Sequence, residues 1–133
     1  MTLCFLEMVR RGKYRVYISN VVLEEIGRAN ETKKSQLLEI INEIQPELLG
    51  LDKDITTLAE RYVQEGVVPR TKFEDAMHAA TSSVHEMDAL ISWNLKHLAN
   101  FRRMEMINGI NLKEGYSKRL ELITPMEVSD EEI

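Results

Sequence analysis

The chain has 133 residues, 44% of them hydrophobic and 29% charged, with a formal net charge of −5 and a single cysteine. That balance belongs to a globular protein with one real core rather than a disordered one, and it argues against coating nucleic acid by charge alone. No apolar run approaches the roughly 18 residues a membrane span needs, the opening lacks the order of a signal peptide, and Cys4 can form no internal disulfide, so a cytoplasmic protein is expected.

Residues 2–11 read as a helix, with Leu3, Leu6 and Val9 and with Phe5 and Met8 at helical spacing, closed by Gly12. A β-rich run follows over 14–19 and passes straight into a helix over 21–29 that carries Val22, Leu23 and Ile26. Residues 34–44 are amphipathic through Leu37, Leu38, Ile41 and Ile44 and stop before Pro46. A short strand is expected over 48–51. A helix over 54–65 then places Ile55, Leu58, Ala59, Tyr62 and Val63 on one stripe, with Gly66 as its stop. Thr71 and Glu74 match a capping box, which predicts a helix from Thr71 to about Val84 that buries Phe73, Ala76, Met77, Ala80 and Val84. Residues 89–93 predict a strand, 101–107 a Met-rich helix and 120–123 a last strand. Thr124, Pro125 and Glu127 form a second capping-box match.

Short strands separated by long helices imply βα units and a mainly parallel sheet covered on both faces, within one domain over 1–133. Function in such sheets gathers at the carboxyl ends of the strands. Three residues stand there. Glu25 lies in the second turn of the helix after the 14–19 strand. Asp75 lies in the first turn of the Thr71 helix, about 200° round from Phe73, on a face shared with the small residues Ala79 and Ser82. That face is expected to be open. Asn94 follows the 89–93 strand directly. Hard cations such as Mg²⁺ or Mn²⁺ take oxygen ligands, and carboxylates gathered from several strand ends supply them. Taken singly, the two acids also suit helix-dipole compensation and the Asn a turn.

Other residues carry less. His78, His85 and His97 are dispersed, and with one Cys they make no zinc pattern. Asp88 precedes a strand at its amino end and reads as a turn residue. The basic clusters Arg10, Arg11, Lys13, Arg15 and Lys96, Arg102, Arg103 fit solvated helix faces or local basic rims. The seven Met residues read as core filler. The six glycines include no Gly-rich phosphate loop, which disfavours a nucleotide-binding doubly wound domain.

The strings from Val16 to Ile26, Glu74 to Ala80 and Asp88 to His97, with the ending Leu122 to Glu127, resemble the PIN-domain nucleases, closest to the branch that includes toxin–antitoxin ribonucleases. The resemblance spans nearly the whole chain. It implies a PIN-like three-layer α/β domain with a short, mainly parallel sheet flanked by helices. It further implies Mg²⁺- or Mn²⁺-dependent hydrolysis of RNA phosphodiester bonds, an antitoxin-like protein partner and a homodimer. By that resemblance Glu25 is the second acid, binding the metal or orienting its water, and Asp75 the third, a metal ligand. Asn94 stands at the fourth position, where it would hydrogen-bond the ion's water.

One departure accompanies it. PIN domains open with a strand that ends in an Asp-containing motif. Residues 3–8 here are helix-patterned and hold Glu7, not Asp. The expectation is therefore an N-terminally truncated PIN-like domain with its first strand missing. Its rival is a catalytically impaired relic acting as a protein-binding module.

Overall fold

The structure is a computed structural model and describes residues 15–91 and 101–123. The helix expected over 2–11, the end of the 89–93 strand and the Thr124 capping box lie outside the described residues. The chain divides into two compact units, 1–50 and 51–133.

The first unit contains β1 (Tyr17–Ser19), α1 (Asn20–Gly27), α2 (Glu31–Ile44) and β2 (Glu47–Leu49). β1 and β2 pair in parallel, with Tyr17 opposite Glu47 and Ser19 opposite Leu49. The Glu47 amide donates to the Val16 carbonyl at 2.9 Å and extends the ladder by one bond. Arg15 sits beside the same strand end, its guanidinium 2.9 Å from the Glu47 carboxylate and over the Tyr17 ring.

α2 starts three residues earlier than the apolar pattern predicts because Asn30 caps it, its Oδ1 accepting the Lys33 amide at 2.8 Å. It ends where Pro46 requires. Gln45 cannot continue the helix ahead of a proline and turns to φ 51°, donating its amide to the Ile41 carbonyl at 2.8 Å. The expected apolar stripe is only partly covered: Leu37, Ile41 and Ile44 are half-buried and Leu38 is exposed.

The second unit contains α3 (Lys53–Gln64), a 3₁₀ turn (Arg70–Lys72), α4 (Phe73–Val84), β3 (Ala89–Ile91), α5 (Phe101–Lys113) and β4 (Glu121–Ile123). β3 and β4 are again parallel, with Leu90 opposite Leu122. The α/β class and the parallel pairing agree with the sequence expectation.

The core follows the predicted stripe. Ile55, Leu58, Ala59 and Tyr62 of α3 are buried against Ala76, Ala79 and Ala80 of α4, Ile107 and Ile110 of α5, and Leu120 and Leu122. Each large aliphatic side chain so buried contributes about 1.5–3 kcal/mol. Met77, Met87, Met104 and Met106 pack around its edge as filler.

Helix ends recur in one form. After α3 the Val67 amide donates to Tyr62 O and the Gly66 amide to Val63 O, both at 3.0 Å, with Gly66 at φ 76°. α4 closes the same way through Glu86 (φ 57°) and Met87, and α5 through Gly115 (φ 96°) and Tyr116. These are left-handed closures that satisfy the last carbonyls. Each turns the next residue, Val67, Met87 or Tyr116, back onto the core.

Two buried asparagines in α5 make the long-range polar contacts, and they carry the helix past its expected end at 107. The Asn108 amide donates to Leu120 O at 3.0 Å while its Oδ1 accepts the Leu120 amide at 2.8 Å, so one side chain replaces a ladder partner at the approach to β4. Asn111 closes a ring. Tyr62 Oη donates to Asn111 Oδ1 at 2.5 Å, Asn111 Nδ2 donates to Ser83 Oγ at 2.9 Å, and Ser83 Oγ lies 3.3 Å from Tyr62 Oη, leaving its proton for the phenol oxygen. Burial pushes the Tyr62 phenol well above its ordinary range.

The sign of that shift yields a test. A phenol whose folded pKa lies above its unfolded value of about 10 contributes stability that is intact below pH 10 and lost as pH rises, about 1.4 kcal/mol per pH unit for one proton. Tyr62→Phe is expected to cost about 1–3 kcal/mol at pH 7 by unpairing the buried Asn111. Urea unfolding from pH 8 to 11.5 should show the wild type losing that advantage above pH 10. A constant difference across the range would contradict it.

Candidate functional site

Glu25 is placed by the direct passage of β1 into α1. Val21 and Ile26 are buried, and Glu25 stands between them in sequence, half-buried, while its neighbour Glu24 is exposed. α1 closes as the Arg28 amide is shared between the Glu24 and Glu25 carbonyls, both at 3.2 Å.

Asp75 is placed by the turn ahead of α4. Val67 and Val68 are buried, Pro69 is extended, and the chain enters the helix through the 3₁₀ turn, with the Lys72 amide donating to Pro69 O at 2.9 Å. Arg70 fixes that turn with a bidentate pair to Glu60, both bonds 2.8 Å, and its guanidinium lies over the Phe73 ring. The pair holds the Glu60 carboxyl below the usual range. A bidentate Arg–carboxylate contact sets geometry as well as energy.

Two expectations are corrected here. The Thr71 capping box does not form: Thr71 lies inside the 3₁₀ turn, and α4 begins at Phe73 after Lys72, with no side-chain cap bond. The Arg70 clamp and the Phe73 contact outweigh a local signature worth about 1 kcal/mol. Nor is the face of Asp75 open. Ala79 is 0% exposed and belongs to the core, and Ser82 is 6% exposed. The hydroxyls there turn inward on their own helix, Ser82 Oγ to His78 O at 3.0 Å and Thr81 Oγ1 to Met77 O at 2.7 Å. Asp75 itself is half-buried and its neighbour Glu74 exposed. α4 is thus covered round more of its circumference than a one-sided amphipathic reading allows.

Glu25 lies in the first unit and Asp75 in the second. Asn94, Lys96 and His97 lie outside the described residues. His78 on α4 and His85 at its C-cap are half-buried. No group of three or more His, Cys, Asp or Glu side chains placed to hold a metal ion occurs among the described residues. Asp88 acts in the turn before β3: its carboxylate meets Lys118 Nζ at 2.8 Å and its carbonyl accepts the Glu121 amide at 3.2 Å.

Of the basic clusters, Arg10, Arg11, Lys13 and Lys96 lie outside the described residues, Arg15 is engaged by Glu47, and Arg102 is exposed. Sequence reasoning passed over Ser19, Asn108 and Asn111. For Ser19 the available signal was a hydroxyl residue at a strand-to-helix handover.

No family model, curated protein or solved structure matches this chain.

The buried state of Ala79 is directly testable. Ala79→Leu should destabilise the protein by about 1–3 kcal/mol through overpacking, read as a lower urea midpoint at unchanged slope. A neutral substitution would restore the open face that the sequence suggests.

Proposed function

We propose that this chain is the scaffold of a PIN-type ribonuclease, with Glu25 and Asp75 as ligands for Mg²⁺ or Mn²⁺ and RNA phosphodiester bonds as substrate. The observation that carries the reading is the contrast within two adjacent acid pairs. In Glu24–Glu25 and in Glu74–Asp75 the residue matching the resemblance is half-buried, whereas its neighbour faces solvent. A half-buried carboxylate in a helix beside a strand end stands where oxygen ligands for a hard cation gather. Two parallel strand pairs, with one of these acids in the helix after β1 and the other in the helix before β3, support the same reading.

The donor chemistry fits a hard divalent ion, since both groups are carboxylates. When bound, such an ion activates water and neutralises charge on the phosphodiester. The protein's own contribution is placement. α1 carries Glu25 two turns from the end of β1, and the Arg70–Glu60 clamp sets the start of the helix that carries Asp75. Asn94 belongs to the same proposal as a hydrogen-bonding residue. The toxin role, the antitoxin-like partner and the homodimer follow from the resemblance alone.

The rival reading is a catalytically impaired relic acting as a protein-binding module. An ion held by two acids binds loosely and positions its substrate poorly. Mixed RNA incubated with the purified chain and Mn²⁺ is therefore expected to show slow cleavage that Asp75→Asn abolishes. Cleavage that survives Asp75→Asn would overturn the site assignment. Complete inactivity at every Mn²⁺ concentration would favour the relic.

A further inference from the structure

The helix α5 has two unlike sides. Ile107, Asn108, Ile110 and Asn111 are buried, whereas Phe101, Arg102, Glu105, Gly109, Leu112 and Lys113 are exposed. Phe101 and Leu112 are 73% and 63% exposed, the highest values of any large hydrophobic side chain among the described residues. With Glu105 and Gly109 they follow the spacing i, i+4, i+8, i+11, which places all four within about 80° of the helix circumference. Gly109 stands in mid-helix, and a Cβ at that position would meet nothing within 4 Å. Packing within the chain therefore gives no reason for the residue that favours a helix least after proline. A glycine at the centre of an outward face does let a second helix come close, because interaxial distance is set by the side chains at the contact.

Charge indicates which helix. Glu105 lies four residues before Gly109 and Lys113 four residues after it, each about 6 Å along the axis. A two-fold axis through Gly109 sets Glu105 of one copy opposite Lys113 of the other, and does so twice. Arg119 takes Glu105 Oε1, and the carboxylate has a second oxygen to offer. We infer that the outward face of α5 pairs antiparallel with the same face of a second copy, the two Gly109 residues at the crossing and a Glu105–Lys113 pair on either side. Phe101 and Leu112 share one flank of that face. Like flanks meet in an antiparallel pair, so the apolar flank of each copy faces that of the other. One helix pair covers less than the roughly 800 Å² per partner of a stable interface, which makes the association weak and concentration-dependent. The pairing follows from α5 alone and needs neither the ribonuclease reading nor the homodimer implied by the resemblance.

Sedimentation velocity of the full chain at low salt, from micromolar to near-millimolar concentration, tests the pairing. The wild type should move from monomer toward dimer as concentration rises. Lys113→Glu and Glu105→Lys should each weaken association about tenfold or more, because like charges then replace both attractive pairs. Mixing the two variants should restore it, since every pair in the mixed dimer is again a Glu against a Lys. Gly109→Gln should abolish association while raising the thermal midpoint, which separates a lost contact from lost folding. Wild-type protein that stays monomeric up to about 1 mM would overturn the inference. So would a dimer that all three substitutions leave unchanged, or a mixture no more associated than its components. A dimer insensitive to these substitutions would keep the homodimer of the resemblance and remove this surface. No outcome bears on RNA cleavage.

Discussion

The second unit depends on a closed ring of three buried hydrogen bonds. Tyr62, Ser83 and Asn111 come from three helices, α3, α4 and α5, and each gives one donor to the next. An apolar core of similar volume tolerates sliding, because dispersion is not directional. The ring does not. A shift of any helix by one residue would leave a phenol, an amide or a hydroxyl unpaired where water cannot reach it, so the alternatives are costly even when apolar burial is preserved. Asn108 adds a second constraint by fixing α5 to the backbone of Leu120 just ahead of β4.

The placement of α4 follows from these constraints and from Arg70. The ring holds the carboxyl-terminal end of the helix through Ser83, and the Arg70–Glu60 clamp holds the entry through the 3₁₀ turn. Asp75 lies between them, in the first turn. Exposed ion pairs contribute little stability, about 0–1 kcal/mol, so the clamp matters for where the chain turns rather than for how stable it is. The same holds for Arg61 with Glu114 and for Arg119 with Glu105, which join separate segments at the surface.

Much of this was legible in the residues. The stripe Ile55, Leu58, Ala59 and Tyr62 is buried as its 3.6-residue period requires, and strand-helix alternation led to parallel pairing. The misreadings share a cause. The helix expected over 101–107 is too short because Asn108 and Asn111, which extend it, have their partners at sequence distances of 12 to 49. Thr71 carries a valid local capping signature that a contact ten residues away, from Arg70 to Glu60, displaces. Ala79 is small enough to suit an open face or a close helix packing, and periodicity cannot choose between them. Patterns within one element read well, whereas bonds between elements do not. The acids Glu25 and Asp75 stood out through resemblance, and their half-buried state relative to Glu24 and Glu74 is structural information.

The central proposal is that Glu25 and Asp75 are each carboxylate ligands for Mg²⁺ or Mn²⁺. Paramagnetic Mn²⁺, added at substoichiometric amounts to isotope-labelled protein, tests it without any need for turnover. The account predicts that amides flanking Glu25 and Asp75 broaden before those near exposed acids such as Glu24, Glu74 and Asp88, and that Asp75→Asn removes the broadening around residue 75. Uniform broadening at all exposed carboxylates, unchanged in Asp75→Asn, would contradict it.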